Sequence, residues 1–329
     1  MNILVLGAAG FVGSHLVKKL STLGHRVSAV DIDNARAKQV LGKNIPFYCC
    51  NYGVQSAMQS VLKKENVELI VQCAGISDIA YSVANPTECY ASNAIGNIFL
   101  LDFMVKGSVG KFLYMSSASV FGEIDRMPIT PNSVRCPISP LGNAQLFIEN
   151  ALESYRTSHG LTYAVVRGSN VTGMSEIENE YFVKNQGSGL ISEILRYIVG
   201  ESEAVNIFGT TYDTIDTTAE RDYIHVDDLC NACLNVIAKL SVRGEGMVFN
   251  VGSGRKYSVR EVITTAENIF GVKIKTVDFP QRVGDPSRAY FDINETRNRL
   301  EWFPKYDSLE LIFGTMFPYF SGKQKHPAV

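Results

Sequence analysis

The chain has 329 residues, a formal net charge of −2, and 46% hydrophobic and 19% charged residues. This length can bury a large core, as one large α/β domain or as two lobes, and the composition is that of an ordinary soluble globular protein. The near-neutral charge gives no reason to expect nucleic acid or a membrane surface as a partner. No stretch reaches the roughly eighteen apolar residues that a membrane span needs.

The chain opens on an apolar run, residues 3–6, followed by Gly7, Gly10 and Gly13 and then by apolar residues at helical spacing. This order predicts a buried strand, a tight turn and a helix. Gly7 would turn the chain, Gly10 would let a pyrophosphate approach the backbone, and Gly13 would let the helix pack closely. The run has no basic residues before it and is interrupted by glycines, so we do not interpret it as a signal peptide.

A second apolar strand, residues 26–31, ends in Asp31. An acid at this distance from the glycines is typical of dinucleotide-binding folds, where it accepts hydrogen bonds from the adenosine ribose. No arginine follows Asp31 directly, which favours NAD over NADP, although Arg36 lies close in sequence. The alternative is a purely structural turn with an empty crevice.

Strands and helices continue to alternate as far as Arg167, which predicts a Rossmann-type doubly wound parallel sheet. We expect an NAD-binding domain over residues 1–170, with late elements from 210–255, and a smaller substrate lobe mainly over 171–329. Residues 170–189 are polar and predict a loop. The predicted strands are 46–51, 67–75, 111–119 and 161–167, and the predicted helices are 34–41, 54–65, 88–105 and 141–159.

Three helices are predicted in the second half of the chain. Asp227 is expected to cap a helix that runs to Leu240. Ser258 and Glu261 form a capping-box pattern for a helix that ends at Gly271, and the segment 307–310 is expected to start the last helix similarly.

The seven cysteines do not form a recognisable metal motif. Cys230 and Cys233 are spaced like a redox or zinc pair, but no second pair or histidine cluster completes a site. They also lie in a predicted amphipathic helix, where buried thiols act as small apolar side chains. We therefore expect no metal, and a reducing cytoplasm as the location.

Short motifs recur along the whole chain after the glycine turn. With them, the chain resembles the extended short-chain dehydrogenase/reductases, and most closely their UDP-glucose (UDP-galactose) 4-epimerase group. The motifs are Cys73-Ala-Gly75, Ser82-Val-x-x-Pro86, Asn93, Ser116-Ser-Ala-Ser-Val-Phe-Gly122, Pro137-x-Ser-Pro140, Arg167-x-x-Asn170-x-x-Gly173, Ile207-Phe-Gly209, Arg221-Asp-Tyr-Ile-His-Val-Asp227, Phe249-Asn-Val-Gly252 and Arg282-x-Gly-Asp285.

The resemblance implies an NAD cofactor, a nucleotide-sugar ligand (a UDP-sugar above all) and a role for particular residues. Ser117 and Ser119 would bond the reacting sugar. The implied cofactor contacts are Gly7, Gly10, Phe11, Val12, Gly13, Asp31, Asn51, Tyr52, Ala74, Gly75, Asn93 and Ser116. The implied contacts of a nucleotide diphosphate are Asn170, Phe208, Arg221, Arg282 and Asp285. Structural salt bridges are the alternative for the two arginines, and a capping hydroxyl for Ser119.

The catalytic pair of this family, Tyr-x-x-x-Lys, is replaced in the chain. The flanking Ser-Pro, Gly and Glu set the register, so that Leu141 occupies the tyrosine position and Gln145 the lysine position. Leucine cannot take a proton, and an amide cannot supply a positive charge. General base catalysis contributes about 10²- to 10⁴-fold, so ordinary epimerisation should fall by at least that factor.

Three interpretations remain open. In the first, the chain is a nucleotide-sugar enzyme with a displaced base. The candidates for this base are Asp78, Tyr81, Ser117 and Ser119. Alternatively, it is a binding pseudoenzyme, or an inactive homologue kept in a hetero-oligomer. The resemblance also implies a homodimer through helices near Asn93 and Leu141. Apolar residues that would allow this, or would instead face the sheet, are Ile98, Leu101, Leu146 and Ile148.

Overall fold

The computed structural model describes residues 1–175 and 189–320. Strands and helices alternate through the first half, as the sequence predicts. The strands are β1 (Asn2–Leu6), β2 (Arg26–Asp31), β3 (Phe47–Cys49), β4 (Leu69–Gln72), β5 (Lys111–Ser117), β6 (Thr162–Gly168), β7 (Asn170–Thr172), β8 (Val205–Phe208), β9 (Glu220–Arg221), β10 (Tyr223–His225), β11 (Gly246–Val251), β12 (Tyr257–Ser258), β13 (Thr276–Phe279) and β14 (Arg288–Ala289).

Helices follow most strands of the first half and become shorter and less regular in the second. They are α1 (Phe11–Thr22), α2 (Asn34–Val40), α3 (Gln55–Glu65), α4 (Ile79–Ala84), α5 (Pro86–Cys89), α6 (Asn97–Lys106), α7 (Pro140–His159), α8 (Leu190–Ile198), α9 (Val226–Lys239), α10 (Val259–Phe270), α11 (Asn294–Leu300) and α12 (Leu309–Phe320). A π-helix (Tyr90–Gly96) joins α5 to α6, and a 3₁₀ turn (Ala118–Val120) follows β5.

The central sheet has seven strands in the order β11-β6-β5-β4-β1-β2-β3. β1 pairs in parallel with β2 and β4, β2 with β3, and β4 with β5. β1 and β4 are almost entirely buried, because parallel strands in such a sheet are covered on both faces. The predicted Rossmann-type, doubly wound fold is therefore confirmed.

Contacts divide the chain into two compact units. Unit 1 comprises residues 1–121, 135–167 and 230–249, and unit 2 comprises 122–134, 168–229 and 250–329. The break after residue 167 lies three residues before the predicted boundary at 170, and 230–249 is the portion of 210–255 that clusters with the sheet. Each unit has its own apolar core. The functional role of each unit stays a prediction.

The carboxylate of Asp222 is buried in unit 2, where hydrogen bonds from another segment of the chain hold it. It accepts hydrogen bonds from the backbone N–H and the hydroxyl of Ser253 and from the N–H of Gly254. A side chain at Gly252 would collide with this carboxylate, since a Cβ there would lie 2.2 Å from its Oδ2. Burial raises the pKa of Asp222 against the opposing effect of these hydrogen bonds.

Several predicted element boundaries need correction. The predicted helix over 88–105 is three consecutive segments, with the π-helix in the middle. The strand predicted for 111–119 ends at Ser117, where the 3₁₀ turn begins. Of the predicted loop 170–189, the first three residues form β7, and 176–188 lie outside the described residues.

Two predicted helix caps also differ from the structure. Asp227 lies in the first turn of α9, which begins one residue earlier at Val226; its N–H donates to Nδ1 of His225. A carboxylate in this first turn still interacts favourably with the positive end of the helix dipole. The last helix begins at Leu309, with the hydroxyl of Ser308 accepting the N–H of Leu311. The capping box of Ser258 and Glu261 is confirmed.

No disulfide links the seven cysteines, and Cys230 and Cys233 are buried within α9, as predicted. In the part of the chain that the structure describes, no cluster of His, Cys, Asp and Glu is arranged to hold a metal ion. Across residues 1–175 and 189–320, no helix has the length and apolar character needed to cross a membrane.

Candidate active site

The glycine turn between β1 and α1 has the close packing that its spacing predicts. Gly7 has a φ of +70°, and a Cβ there would lie 2.6 Å from the backbone nitrogen of Ala74. A Cβ at Gly13 would lie 2.1 Å from the carbonyl oxygen of Gly7. Gly10 precedes α1 and offers no side-chain cap, so the first N–H groups of the helix, including those of Phe11 and Val12, face a position suited to an anion.

Asp31 supports this turn directly. Its Oδ2 accepts the N–H of Ala9 at 2.9 Å, and its Oδ1 accepts the N–H of Asp33 at 3.0 Å. A carboxylate has about four lone-pair positions, so two backbone donors leave capacity for ribose hydroxyls. The carboxylate is thus oriented by the chain before any ligand arrives.

The sequence leaves Arg36 as a possible contact for a 2′-phosphate. In the structure, its side chain lies beside Asp33, the residue that caps the same helix. Asp33 caps α2 by accepting the N–H of Arg36, and the Arg36 Nε lies 3.5 Å from the Asp33 carboxylate. This ion pair directs the guanidinium towards Asp33.

An amide network supports the end of β4. Gln72 accepts the N–H of Ala74 and donates to Asn97, whose side chain donates to the carbonyl of Asn93. The Asn93 amide in turn donates to the carbonyl of Ile76 at 2.7 Å and accepts its N–H at 2.9 Å. The segment after β4 is therefore held in one conformation by side chains from the π-helix and α6.

Gly75 is required at this point by the same network. Its φ is +137°, and a Cβ there would lie 2.7 Å from Oδ1 of Asn93. Of two further residues implied as cofactor contacts, which in the family would flank the adenine, Asn51 is exposed and Tyr52 is buried. The Tyr52 hydroxyl donates to the carbonyl of Ser92, so this phenol supports the core of unit 1.

Ser116 belongs to a buried ionic cluster around Glu149. Its hydroxyl donates to Glu149 at 2.7 Å, and Arg167 binds the same carboxylate through Nε and Nη2 at 3.0 and 2.6 Å. Arg135 adds a third contact at 3.1 Å. Such paired, hydrogen-bonded charges are what permit a carboxylate to be buried. The cluster joins the end of β5 to α7 and β6.

The two positions that the sequence assigns to the family's catalytic pair hold a buried hydrocarbon and a hydrogen-bonded amide, and this assignment stays a prediction. Leu141 is 2% exposed. Gln145 accepts the hydroxyl of Ser117 through Oε1 at 2.8 Å, one turn further along α7. Ser117 Oγ in turn accepts the N–H of Ser119, whose predicted contact with a sugar stays a prediction.

Tyr81, one of the four predicted substitute bases, is poorly suited to the task. Asp78 caps α4 by accepting the N–H of Tyr81. The Tyr81 hydroxyl donates to Glu88 at 2.7 Å, and this hydrogen bond to a carboxylate raises the pKa of the phenol. A base that works near neutral pH needs a lowered phenol pKa, so the local charge acts in the wrong direction.

In unit 2, Arg221 and Asp285, two of the predicted diphosphate contacts, form an ion pair. Nη2 of Arg221 donates to the carboxylate of Asp285 at 2.5 Å and to the carbonyl of Pro286 at 2.6 Å. Nη1 donates to the carbonyls of Glu220 and Ser287. Arg221 therefore makes a salt bridge with Asp285 and holds the segment 285–287 in place, and its contact with a nucleotide diphosphate stays a prediction.

Arg282 lies over an aromatic ring. Its guanidinium carbon is 3.7 Å from the ring centroid of Phe208, whose other neighbour is Phe279 at 5.3 Å. This stack brings two of the predicted ligand residues together and keeps the cation beside an apolar plane. Asn170 is exposed at the start of β7, which pairs with β10.

Sequence reasoning missed the residues that support the site. Gln72, Asn97 and Glu149 hold Ala74, Asn93 and Ser116, yet they look like ordinary polar residues of a strand end and two helices. The useful signal would have been their burial: Gln72 and Asn97 are each 1% exposed and Glu149 is 5% exposed. Buried polar groups require partners.

Comparisons with known proteins agree with this architecture. The family model described as the NAD dependent epimerase/dehydratase family matches residues 3–252. A UDP-glucose 4-epimerase of Halalkalibacterium halodurans is 32% identical over 95% of this chain and 93% of its own length.

Two solved structures are similar throughout. The UDP-glucose 4-epimerase of Bifidobacterium longum in complex with NAD+ and UDP has a TM-score of 0.89 and 29% identity, covering 97% of this chain and 98% of that one. The Thermotoga maritima enzyme with UDP-glucose has a TM-score of 0.86 and 31% identity, covering 98% and 99%. The predicted cofactor, NAD, agrees with the family. With its glycine turn, its oriented Asp31 and this match over most of its length, the chain belongs to the NAD-dependent epimerase/dehydratase family.

Proposed function

We propose that this protein binds NAD in unit 1 and a UDP-sugar through unit 2, and acts on or binds that sugar without the tyrosine–lysine pair of its family. The observation that carries the proposal is the glycine turn with Asp31 already hydrogen-bonded to its backbone. The relatives crystallised with NAD+ and UDP, or with UDP-glucose, support the ligand class.

The chemistry of the reacting centre sets the expected activity. Bound NAD supplies an acceptor for hydride from a sugar carbon, which requires that the adjoining hydroxyl lose its proton. Leu141 has no group to take that proton, and the Gln145 amide is already bonded to Ser117. We therefore expect 4-epimerisation to run at least about 100-fold below the rate of a family member with the intact pair.

The second candidate is a catalytically inactive binding protein, acting as a regulator or as a partner in a hetero-oligomer. The hydrogen bond between Ser117 and Gln145 favours it, because this hydroxyl is used within the protein. The raised pKa of Tyr81 also favours it, since this phenol is deprotonated to an even smaller extent at neutral pH than a free one.

Binding and turnover can be measured separately on the purified full chain. We expect NAD and UDP-sugars each to raise the melting temperature, since a ligand that binds only the folded state stabilises it by RT ln(1 + [L]/Kd). Absorbance of a reduced nicotinamide after addition of a UDP-sugar would favour the enzyme, and stabilisation without any absorbance change or product would favour the binding protein. Absence of stabilisation by both ligands would contradict the proposal.

We also propose that the protein forms a homodimer through the π-helix, α6 and α7. Of the residues expected there, Leu101 and Ile148 are fully buried and face the core of unit 1, while Ile98 and Leu146 are partly buried. Three other large apolar side chains on these helices remain about half exposed: Ile95 at 53%, Phe99 at 50% and Phe147 at 52%. An apolar surface of this kind supports a protein interface.

Replacing Phe99 or Phe147 by Asp is expected to convert the dimer into monomers, because a charge in the middle of a buried apolar interface is left without a partner. Light scattering across a concentration series measures the mass. Leu23→Asp is the matched control, since Leu23 is 61% exposed at the end of α1 and lies on another part of unit 1. A monomeric wild-type protein, or a dimer that survives both changes, would contradict this interface.

A further inference from the structure

The hydroxyl of Tyr212 is buried without a hydrogen-bond partner in the described part of the chain. The residue is only 8% exposed, and its hydroxyl oxygen makes no contact with a donor or acceptor. Buried polar groups in folded proteins are nearly always paired, with protein, water or ligand. The neighbouring polar groups of this loop are hydrogen-bonded: the hydroxyl of Thr214 donates to the carbonyl of Thr218, whose N–H donates to Asp216. The unpaired hydroxyl of Tyr212 is therefore an exception in its surroundings.

The chain leaves the phenol little freedom to move. A Cβ at Gly209 would lie 2.4 Å from Cε2 of Tyr212, so only glycine permits the ring to pack against the backbone there. The N–H of Tyr212 donates to the carbonyl of Thr217 at 3.0 Å, and its carbonyl accepts the N–H of Thr214 at 2.9 Å. The ring thus packs against Gly209, which directly follows Phe208, the residue that stacks under Arg282.

Three of the four charges that act on the phenol, those of Asp285, Arg221 and Arg282, belong to the predicted diphosphate site. Asp285, Arg221, Glu123 and Arg282 all act on its titration, and burial, the largest cause, raises the pKa of Tyr212. The hydroxyl is therefore protonated at neutral pH and available as a donor. Arg221 meanwhile directs its guanidinium donors to Asp285 and to backbone carbonyls.

We propose that Tyr212 is a further ligand-binding residue, whose hydroxyl donates a hydrogen bond to a phosphate oxygen of the bound nucleoside diphosphate. The inference rests on the proposed function and adds to it a neutral donor beside the predicted arginines. An anionic oxygen satisfies the hydroxyl, and O–H···O⁻ hydrogen bonds are among the stronger ones in proteins. The empty partner position of the hydroxyl would thus be filled by ligand.

Tyr212→Phe keeps the ring and removes this donor. In titration calorimetry of the NAD-loaded full chain, we expect UDP affinity to fall about ten-fold, the equivalent of one hydrogen bond to a charged group, and uridine affinity to stay unchanged. The melting temperature without nucleotide should be unchanged or higher, because no protein hydrogen bond is lost. Tyr197→Phe is the control: Tyr197 is also buried in unit 2, but its hydroxyl donates to the carbonyl of Lys273. It should lower the melting temperature and leave UDP affinity unchanged.

The outcomes separate this inference from the proposed function. A wild-type protein that does not bind UDP would contradict the proposed function, and the inference with it. UDP binding that is equally tight in wild type and Tyr212→Phe would overturn the inference alone. An equal loss for uridine, or a melting temperature lowered as in Tyr197→Phe, would also overturn it, since the hydroxyl would then contact the nucleoside or support the fold.

Discussion

Leu141→Tyr combined with Gln145→Lys is expected to raise UDP-galactose 4-epimerase activity by at least about 100-fold over wild type. The double variant returns a phenol and an ammonium one helical turn apart on α7, at positions that are 2% and 9% exposed. The ammonium lowers the phenol pKa from its ordinary value near 10, so that a phenolate can accept the sugar proton. The Gln145→Lys change also removes the amide oxygen that accepts the Ser117 hydroxyl, which frees this hydroxyl for the sugar. Activity is measured by coupled formation of UDP-glucose.

A single variant and a shape-matched double variant test the reason for the gain. Leu141→Phe with Gln145→Lys has the ring and the charge but no hydroxyl, and should remain as slow as wild type. Leu141→Tyr alone should gain less than the double variant, because its phenol keeps a high pKa. A double variant that folds, binds NAD and UDP, and still shows no gain would contradict the assignment of these two positions.

Gly7→Ala is expected to abolish measurable NAD binding and to lower the melting temperature. The added Cβ would lie 2.6 Å from the nitrogen and 2.7 Å from the Cα of Ala74, so the glycine turn or the end of β4 must move. The left-handed conformation at φ +70° adds about 1–2 kcal/mol of strain for a residue with a side chain. A displaced turn no longer directs the first N–H groups of α1 at a pyrophosphate. Calorimetric titration with NAD and thermal unfolding measure the two effects.

Gly24→Ala separates strain from collision. Gly24 has a similar φ of +80°, but nothing lies within 4 Å of a Cβ built there. This variant should lose about 1–2 kcal/mol of stability and retain full NAD affinity. If Gly7→Ala binds NAD as tightly as Gly24→Ala does, the close approach of Gly7 to Ala74 is not needed for the cofactor, and the assigned site is wrong.

The sequence by itself determined those features that depend on near neighbours. The strand–turn–helix at Gly7 follows from an apolar run, three glycines and a helical apolar pattern within about twenty residues. The capping box of Ser258 and the Cys230–Cys233 pair inside a helix are local in the same sense. The replacement at positions 141 and 145 stays a prediction, and it too rests on near neighbours, since the residues flanking it set the register.

Only the tertiary structure decided which of these residues meet, and which apolar residues remain outside. Ser117 and Gln145 are 28 residues apart and Arg221 and Asp285 are 64 apart, so no local pattern could pair them. Leu101 and Phe99 are both apolar residues of α6, and the sequence gives no reason to bury only one of them. In the structure, Leu101 is fully buried and Phe99 is half exposed. The direction of each side chain depends on how strands order in the sheet and where helices pack on it, and that order results from burying apolar surface over the whole chain.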